Sequence, residues 1–368
     1  MDCHYWPEGV KKRVEENNKK EMRHTNFNTA EEQIRKDDLI VVTGAGGFIG
    51  GSLARYFHEK GFTGIRAVDK KPVDQWYQLV PGTENLCLDC CAEEACRQVC
   101  DGAKEVYNLA ADMGGMGFIE HFRVECLRSI LINTHMIEAA YRAGVQRYFY
   151  SSSACIYNTL LQQDPSVRAL KESDAYPAMA ERGYGWEKLI SEMFCQEYWA
   201  ERKLKTFIAR FHNVYGPHGT WDGGREKAPA AICRKIIQAI DSGSGVIEVW
   251  GDGRQTRSFM YIDDCVQGID MIMHCDRLIA TPINLGSSEL VSVNELVNKV
   301  EKIAGVKLDR RYDLTAPRGV AGRNSDNSFI KQVLNWEPNT TLDAGLRATY
   351  AWIQEQYRRR KAGLCVVV

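Results

Sequence analysis

Three side chains that together could oxidise an alcohol are the clearest sign of chemistry in this sequence. Tyr184 and Lys188 lie four residues apart in a stretch predicted as helical, so both fall on one helix face. Ser153 closes a run of three serines, Ser151 to Ser153, at the end of a predicted strand. A serine can hold a substrate hydroxyl while a tyrosine exchanges its proton, but a free phenol with a pKa of about 10 is a poor base. We therefore expect the ammonium of Lys188, with a bound nicotinamide cation, to favour the phenolate of Tyr184.

A glycine-rich turn provides the predicted cofactor site for this chemistry. Gly44, Gly47 and Gly50 lie between the predicted strand at residues 39–43 and a helix that begins near Phe48, the context of a dinucleotide-binding fingerprint. Asp69 ends the next predicted strand, where a carboxylate binds ribose hydroxyls and repels a 2′-phosphate. NAD is thus favoured over NADP, although two lysines follow Asp69 directly. The predicted cofactor-binding residues are Gly44, Gly47, Phe48, Ile49, Gly50, Asp69, Asp89, Ala110, Tyr184 and Lys188.

Apolar, β-branched runs alternate with amphipathic segments from residue 38 onward, which is typical of βαβ units in a parallel sheet. The predicted fold is α/β, a doubly wound Rossmann sheet with a smaller mixed α/β substrate-binding region. We predict a polar extension over residues 1–37 and an NAD-binding domain over 38–210 with return segments near 258–284. Residues 211–257 and 285–368 are expected to bind the substrate. The predicted strands include Ile65 to Asp69, Lys205 to Phe211, Val246 to Trp250 and Pro282 to Leu285.

Charge and composition exclude several classes of partner. The 47 basic and 48 acidic residues balance to a net charge of −1, so no global field favours nucleic acid or a membrane surface. No apolar run approaches the roughly 20 residues of a membrane span. An odd count of 13 cysteines without a secretory signal indicates reduced thiols and a cytoplasmic location. The cysteines between residues 87 and 100 do not form the paired Cys-x-x-Cys units of a zinc site, so no metal is expected.

Several longer motifs narrow the function. The segments at residues 110–119, 152–157, 210–217, 223–231, 250–253, 255–259 and 322–327 resemble the GDP-mannose 3,5-epimerase family, a branch of the extended short-chain dehydrogenases/reductases. The resemblance runs from about Leu39 to Gln356. It implies an NAD-dependent isomerase that epimerises a GDP-hexose at C3 and C5, and converts GDP-mannose to GDP-L-galactose or GDP-L-gulose through transient oxidation at C4. It also implies a homodimer.

The same resemblance assigns the acid/base pair to Cys155 and Lys227. A ketone at C4 makes the protons at C3 and C5 acidic, and one acid and one base on opposite faces can invert either centre. The cysteine could supply a thiolate if Lys227 or another cation lowers its pKa from about 8.5. The residues that the resemblance places at the substrate are Gly114, Ser153, Ala154, Cys155, Asn213, Glu226, Lys227, Ala228, Lys235, Gln255, Arg257 and Arg323.

Two other readings remain open at this point. The chain could be another nucleotide-sugar enzyme, such as a UDP-hexose 4-epimerase or a GDP-mannose 4,6-dehydratase, although a dehydratase typically carries a glutamate near the serine. It could also be a nucleotide-binding module without catalysis, against which the intact Ser153, Tyr184 and Lys188 argue. Two departures from the family pattern, Asn158 and the segment Ala178 to Gly183, lie in predicted loops near the sugar.

Overall fold

A computed structural model describes residues 34–364 and Val366. Almost all of these residues belong to one compact unit, Lys36–Val368. The polar extension expected over residues 1–37 thus lies almost entirely outside the described residues. The division of this unit into cofactor and substrate regions stays a prediction.

The compact unit is built on a parallel sheet of seven strands. Its strands are β1 (Ile40–Thr43), β2 (Ile65–Asp69), β3 (Glu84–Cys87), β4 (Glu105–Asn108), β5 (Arg147–Ser153), β6 (Lys205–Phe211) and, from further along the chain, β11 (Pro282–Leu285). They lie in the order β11-β6-β5-β4-β1-β2-β3, and every neighbouring pair is parallel. The order reverses between β1 and β4. Ligands bind at such a switch point, outside the carboxyl ends of the strands.

Helices cover both faces of this sheet, which is why β1 and β4 are buried along their whole length. On one face α2 (Glu93–Cys100), α4 (Arg123–Arg142) and α5 (Tyr184–Arg202) pack side by side. On the other face α1 (Phe48–Glu59) packs against α7 (Ile262–Met273). The short α3 (Met116–His121) precedes α4.

A smaller region of mixed structure has an apolar core of its own. Three helices, α6 (Ala228–Ser242), α8 (Val293–Ala304) and α10 (Leu342–Lys361), share that core. Its short strands are β7 (Val214–Tyr215), β8 (Val246–Trp250), β9 (Thr256–Ser258), β10 (Met260–Tyr261), β12 (Leu290–Ser292), β13 (Asp309–Asp313) and β14 (Gly322–Arg323), and α9 (Ser328–Leu334) precedes α10.

Two predicted strands show how the regions interlock. Val246–Trp250 is a strand as predicted, but it pairs with Asp309–Asp313 in a separate two-stranded sheet and does not join the doubly wound sheet. Its exposed first and last residues, Val246 and Trp250, fit that position at the surface. Pro282–Leu285 returns to the central sheet as the edge strand beside β6. Across the described residues, no helix is both long and apolar enough to cross a membrane.

Candidate active site

A cleft of about 570 Å³ opens at the carboxyl ends of the central strands, within the usual size of a small-molecule site. Its walls come from the turn after β1, the ends of β2 and β4, the serines of β5, the start of α5 and the loop before α6. All ten predicted cofactor-binding residues line it. Of the predicted catalytic and substrate residues, Gly114, Ser153, Tyr184, Lys188, Asn213 and Lys227 line it as well.

The turn after β1 has the close packing that a dinucleotide requires. Gly44 has φ +71°, and a Cβ there would lie 2.9 Å from the carbonyl oxygen of Leu109. A Cβ on Gly50 would lie 2.3 Å from the carbonyl oxygen of Gly44, so α1 packs directly on the turn. The helix begins at Phe48 without a side-chain cap, which leaves its N-terminal N–H groups directed at the cleft for a pyrophosphate. The residues present therefore fit NAD.

The predicted ribose carboxylate is fixed by backbone donors. Oδ2 of Asp69 accepts a hydrogen bond from the N–H of Gly46 at 3.1 Å, and Oδ1 accepts one from the N–H of Lys71 at 3.0 Å. Asp89 also lines the cleft, and its Oδ1 accepts a hydrogen bond from the N–H of Cys91 at 2.9 Å. Burial lowers the pKa of Lys71, which lies over the ring of Tyr77.

The structure brings Ser153, Tyr184 and Lys188 together. Tyr184 is buried, and the Nζ of Lys188 lies 5.6 Å from the centre of its ring. Burial raises the pKa of Tyr184 well above its usual value, and Cys155 and Glu187 raise it further. The hydrogen bond with Ser153 acts to lower this pKa. Burial lowers the pKa of Lys188, and the neighbouring Glu187 opposes that effect. The phenolate expected from Lys188 together with a bound nicotinamide cation stays a prediction.

Cys155 lies in a short 3-10 turn directly after β5, and its environment is ionic. The turn holds because Oγ of Ser153 accepts a hydrogen bond from the N–H of Cys155 at 3.2 Å. Nη1 of Arg323 lies 3.3 Å from the Sγ of Cys155, and Nη2 of the same guanidinium pairs with Glu181. Nε of Arg323 donates to Gln162 at 2.6 Å. All three guanidinium nitrogens are thus held by named partners.

The pKa values of the predicted acid/base pair, Cys155 and Lys227, are shifted in opposite directions. Burial and then Glu181 raise the pKa of Cys155, although Arg323, Ser153 and Lys227 act to lower it. The cations thus act on this pKa in the expected direction, but burial and Glu181 outweigh them. Burial lowers the pKa of Lys227, and Cys155 partly opposes that effect. These directions favour the thiol form of Cys155 and the neutral amine of Lys227.

A second group of predicted substrate residues lies along the strands β8, β9 and β14. Nη1 of Arg257 donates to the carbonyl oxygen of Thr256 at 2.7 Å, and burial lowers the pKa of Arg257 to about 10. Nε2 of Gln255 donates to the carbonyl oxygen of Trp250 at 2.8 Å, while its buried Oε1 has no partner among the described residues. Nζ of Lys235 lies 5.4 Å from the centre of the Trp250 ring. Arg257 faces Lys227 and Cys155 of the catalytic cluster, while Gln255 and Lys235 both contact β8.

The remaining predicted residues have local roles in the structure. Oε1 of Glu226 accepts a hydrogen bond from Arg234 at 2.8 Å, and Oε2 accepts one from the N–H of Gly224 at 2.7 Å. Glu226 therefore shapes the loop before α6, where Ala228 begins the helix. Ala154 is buried against the apolar cluster beneath the 3-10 turn. Within residues 34–364 and Val366, no group of three histidine, cysteine or acidic side chains could hold a metal ion.

Sequence reasoning missed a clasp across the cleft. Oδ2 of Asp112 lies 2.5 Å from Nζ of Lys70, and Oδ1 lies 3.0 Å from Nη1 of Arg225. The guanidinium of Arg225 also lies 3.9 Å from the centre of the Phe118 ring. The N–H of Gly115 donates to the carbonyl oxygen of Arg225 at 2.9 Å. Because its members lie far apart in the sequence, no spacing signal could have found this clasp.

A buried carboxyl group beside the catalytic lysine was also missed. Glu187 is fully buried, and its Oε1 is close to Nδ2 of Asn133 and to the hydroxyl of Ser191. Asn133 in turn accepts a hydrogen bond from Asn108 at 3.0 Å, and Asn108 accepts one from Thr43 at 2.9 Å. A polar chain therefore runs from the end of β1 to the residue next to Lys188. The sequence offered one hint, an acidic residue on an otherwise inward-facing helix position.

The fold and the site together define a nucleotide-dependent enzyme that performs redox chemistry on a carbinol. The chain belongs to the NAD dependent epimerase/dehydratase family, whose pattern matches residues 40–286. It is 45% identical to the GDP-mannose 3,5-epimerase of Arabidopsis thaliana over 324 residues, 88% of this chain and 84% of that protein.

Solved structures show the same architecture. A UDP-glucose 4-epimerase of Thermotoga maritima, solved with UDP-glucose, matches with a TM-score of 0.76 at 22% identity over 86% of this chain and 99% of that one. At that identity the match establishes the fold alone. The structure of MoeE5 in complex with UDP-glucose and NAD matches with a TM-score of 0.73 at 26% identity, over 87% of this chain and 99% of that one.

Proposed function

We propose that this chain is an NAD-dependent isomerase that epimerises GDP-mannose at C3 and C5. The observation that carries the proposal is the presence of two proton-transfer systems in one cluster, Tyr184 with Lys188 and Cys155 with Lys227. A 4-epimerase needs only the first of them. The 45% identity to a GDP-mannose 3,5-epimerase supports the same substrate and reaction.

The residues around the carbinol do the following work. Ser153 holds the oxygen at C4 of the hexose, and the phenolate oxygen of Tyr184 takes the proton of that hydroxyl and later gives it back. Lys188 is anchored on the carbonyl oxygen of Ser151 at 2.9 Å, so its charge stays fixed beside the phenol. NAD, when bound, would supply the acceptor and the donor of a hydride at C4. The turn at Gly44 to Gly50 and the carboxylate of Asp69 would hold it.

The second system moves protons at carbon. With a carbonyl at C4, one member of the Cys155 and Lys227 pair removes the proton at C5 or C3, and the other delivers a proton to the opposite face. One proton leaves the carbon and one returns, so the sugar changes configuration without change in composition. Arg323 and Arg257, both next to this pair, provide the positive charge that a developing enolate needs.

The structure gives a reason to favour epimerisation over dehydration. A dehydratase needs an acid to assist the loss of water, and the described residues do place a carboxyl group, Glu181, near Cys155. Although burial alone would raise its pKa, the ion pair with Arg323 lowers it. Glu181 is therefore a carboxylate already committed to a guanidinium, and a poor proton donor to a leaving hydroxyl.

Incubation of the purified chain with GDP-mannose tests the proposal. We expect NMR to show GDP-L-galactose and GDP-L-gulose, with NAD required only in catalytic amounts and no steady build-up of NADH. A 4-keto-6-deoxy sugar would instead identify a dehydratase, and a product inverted at C4 alone would identify a 4-epimerase. Binding without any turnover would leave a non-catalytic module.

We also propose that two copies of the chain pair through α4 and α5. These helices pack against each other and carry a band of exposed apolar side chains, a feature that marks interaction surfaces. Trp186, Ile190, Met193 and Phe194 follow one face of α5, since they are spaced by three or four residues. The exposed members on the neighbouring helix and its start are Phe122, Val124, Leu127, Leu131 and Tyr141.

Light scattering after gel filtration checks this assembly. The parent should elute at twice the mass of the chain, and Ile190→Glu should yield a monomer because it places a charge in the middle of the band. Leu314→Glu serves as the control, since Leu314 is exposed in the loop after β13, away from both helices. A monomeric parent, or a dimer that survives Ile190→Glu, would overturn the proposed interface.

A cytoplasmic location fits the free thiols found at all eleven cysteines described.

A further inference from the structure

A buried carboxylate lies in the catalytic cluster without a role in the reaction as proposed. Glu181 precedes Tyr184 in the segment that departs from the family pattern, and its side chain is 11% exposed. Its backbone N–H donates to the carbonyl oxygen of Cys155 at 2.9 Å, so the two residues are tied together by the main chain as well.

Glu181 and Cys155 share one cation. Arg323 presents Nη1 to the Sγ of Cys155 at 3.3 Å and Nη2 to Oε1 of Glu181, while its Nε is held by Gln162 at 2.6 Å. The guanidinium is 4% exposed and cannot rotate without breaking these contacts. A carboxylate is the stronger partner for a guanidinium, because the pair is a charge-assisted hydrogen bond. The positive charge next to the sulfur is therefore shared between Cys155 and Glu181.

We propose that Glu181 is a positioning residue of the acid/base step, which shares the Arg323 guanidinium with the sulfur of Cys155 and so keeps Cys155 as a thiol, the proton donor of the pair. Lys227 is then the proton acceptor. In an inversion the Nζ of Lys227 takes the proton from the sugar carbon, and the S–H proton of Cys155 goes to the opposite face of that carbon. This leaves Lys227 as an ammonium and Cys155 as a thiolate, so a proton passes from the ammonium back to the thiolate before the second inversion. The assignment of donor and acceptor rests on the proposed function; the state of the thiol does not.

The other charges around the sulfur are consistent with this inference. Glu181 raises the pKa of Cys155, second only to burial, and Arg323 and Lys227 act against it. Burial lowers the pKa of Lys227, as an acceptor requires. The titratable and charged groups around the sulfur of Cys155 are Glu181, Arg323, Lys227, Arg257, Tyr184 and Lys188.

Alkylation of the full-length protein tests the state of the thiol without any substrate. Iodoacetamide reacts with the thiolate, so its rate at Cys155, followed by peptide mass spectrometry across a pH series, gives the midpoint of the thiol's titration. Glu181→Gln keeps the shape and removes the charge, and we expect the midpoint to fall by about one pH unit, the lower end of the effect of a neighbouring charge. Altered access would change the rate but not the midpoint.

Two comparisons separate charge from shape. Glu181→Asp keeps the carboxylate and should leave the midpoint close to that of the parent. Glu337→Gln removes a carboxylate from the surface ion pair with Lys331 and should not move it. Arg323→Gln should move the midpoint upward, and it decides the question alone if Glu181→Gln does not fold. A midpoint that stays in place or rises in Glu181→Gln, or stays in place or falls in Arg323→Gln, overturns the proposal.

The effect of Glu181 on catalysis is measured in a separate experiment. In deuterated water with GDP-mannose, the pH dependence of label uptake at C5 should shift in Glu181→Gln in the same direction as the alkylation midpoint. An unshifted profile beside a shifted midpoint would overturn the assignment of Cys155 as donor. If the parent shows no uptake at all, the proposed function fails, while the alkylation result still decides the part of Glu181.

Discussion

The Nζ of Lys188 donates a hydrogen bond of 2.9 Å to the carbonyl oxygen of Ser151, and this contact ties the catalytic helix α5 to the end of strand β5. Because Lys188 is 1% exposed, its ammonium has little water to solvate it and depends on that carbonyl oxygen and on Glu187. The same contact sets the distance from the lysine to the phenol one turn earlier. Strand and helix thus fix the two groups that act at C4.

Tyr184→Phe should abolish turnover and leave binding nearly intact. The substitution removes one hydroxyl and little volume from a buried position, so the fold and the cleft should persist. Loss of a positioned acid/base group costs at least about 100-fold in rate. Product formation from GDP-mannose by NMR and binding of GDP-mannose and NAD by calorimetry check the two halves of this expectation. Turnover near the parent rate would remove Tyr184 from the mechanism.

Asp112→Asn should weaken retention of the cofactor. Asp112 bridges Lys70, which follows the ribose carboxylate Asp69, and Arg225 on the far side of the cleft. Although burial acts to raise the pKa of Asp112, the two cations lower it, so the bridge is ionic at neutral pH. Lys70 and Arg225 are about half exposed, and each such pair contributes only about 0.2–1 kcal/mol.

We therefore expect NAD to leave Asp112→Asn about threefold to tenfold faster than it leaves the parent. The NAD content of the protein after timed gel filtration gives this rate. Asp74→Asn is the matched control, because Asp74 is exposed in the loop after β2 and lies outside the clasp. Equal retention in parent and Asp112→Asn would show that the clasp does not hold the cofactor.

His274→Gln should destabilise the protein in a pH-dependent way. Nε2 of His274 lies 3.0 Å from Oε1 of Glu105, and Nδ1 lies 3.0 Å from Oδ1 of Asp270. Although burial alone would lower it, these partners raise the pKa of His274 to about 10. A raised pKa means that the folded state holds the proton more tightly, so the stabilisation is complete below about pH 6.5 and disappears as the pH rises through about 10.

Urea unfolding of parent and His274→Gln measures this contribution. We expect a loss of about 1.5–3 kcal/mol at about pH 6, toward the lower end because a third of the side chain is exposed to solvent, and a much smaller difference at about pH 11. A difference that does not depend on pH would indicate packing and not charge.

The sequence was sufficient for most of the main sheet, because strands such as β1 and β2 are buried, largely apolar runs that end at a turn signal. Lys205–Phe211 and Ile65–Asp69 have the bounds that were predicted. The sequence analysis did not predict β3, Glu84–Cys87. This strand is half exposed and polar at its start, and therefore lacks the apolar pattern of its neighbours. Asp309–Asp313 was missed for the same reason, since charged residues fill most of that strand.

The residues of the candidate site also fall into two groups, those that a sequence motif predicts and those that only the structure reveals. Gly44, Tyr184 and Lys188 occur in local motifs whose spacing reflects one turn or one helix, so they could be found without a structure. Glu181 and Asp112 act through partners more than 100 residues away, Arg323 and Arg225. The charge states were also out of reach, because burial decides them. Burial raises the pKa of both Tyr184 and Cys155.

Cys155→Ala should separate proton transfer at carbon from the chemistry at C4. Cys155 follows the serine turn and does not contribute to the Lys188 anchor, so the variant should still form the ketone and reduce its bound NAD transiently. It should not epimerise. In deuterated water the parent should take up label at C5 and C3 of GDP-mannose, and the variant should lose that uptake by at least about 100-fold.

The matched control for this experiment is Cys126→Ala, which removes a buried thiol from the same apolar cluster that contains Cys155 and Tyr184. It should retain both label uptake and turnover, because its sulfur has no cation beside it comparable to Arg323 at 3.3 Å from Cys155. Label at each sugar carbon is read by NMR, with NADH absorbance followed in parallel. Undiminished uptake in Cys155→Ala would assign the proton transfer to another group. A parent that takes up no label would move the whole assignment to a 4-epimerase or a dehydratase.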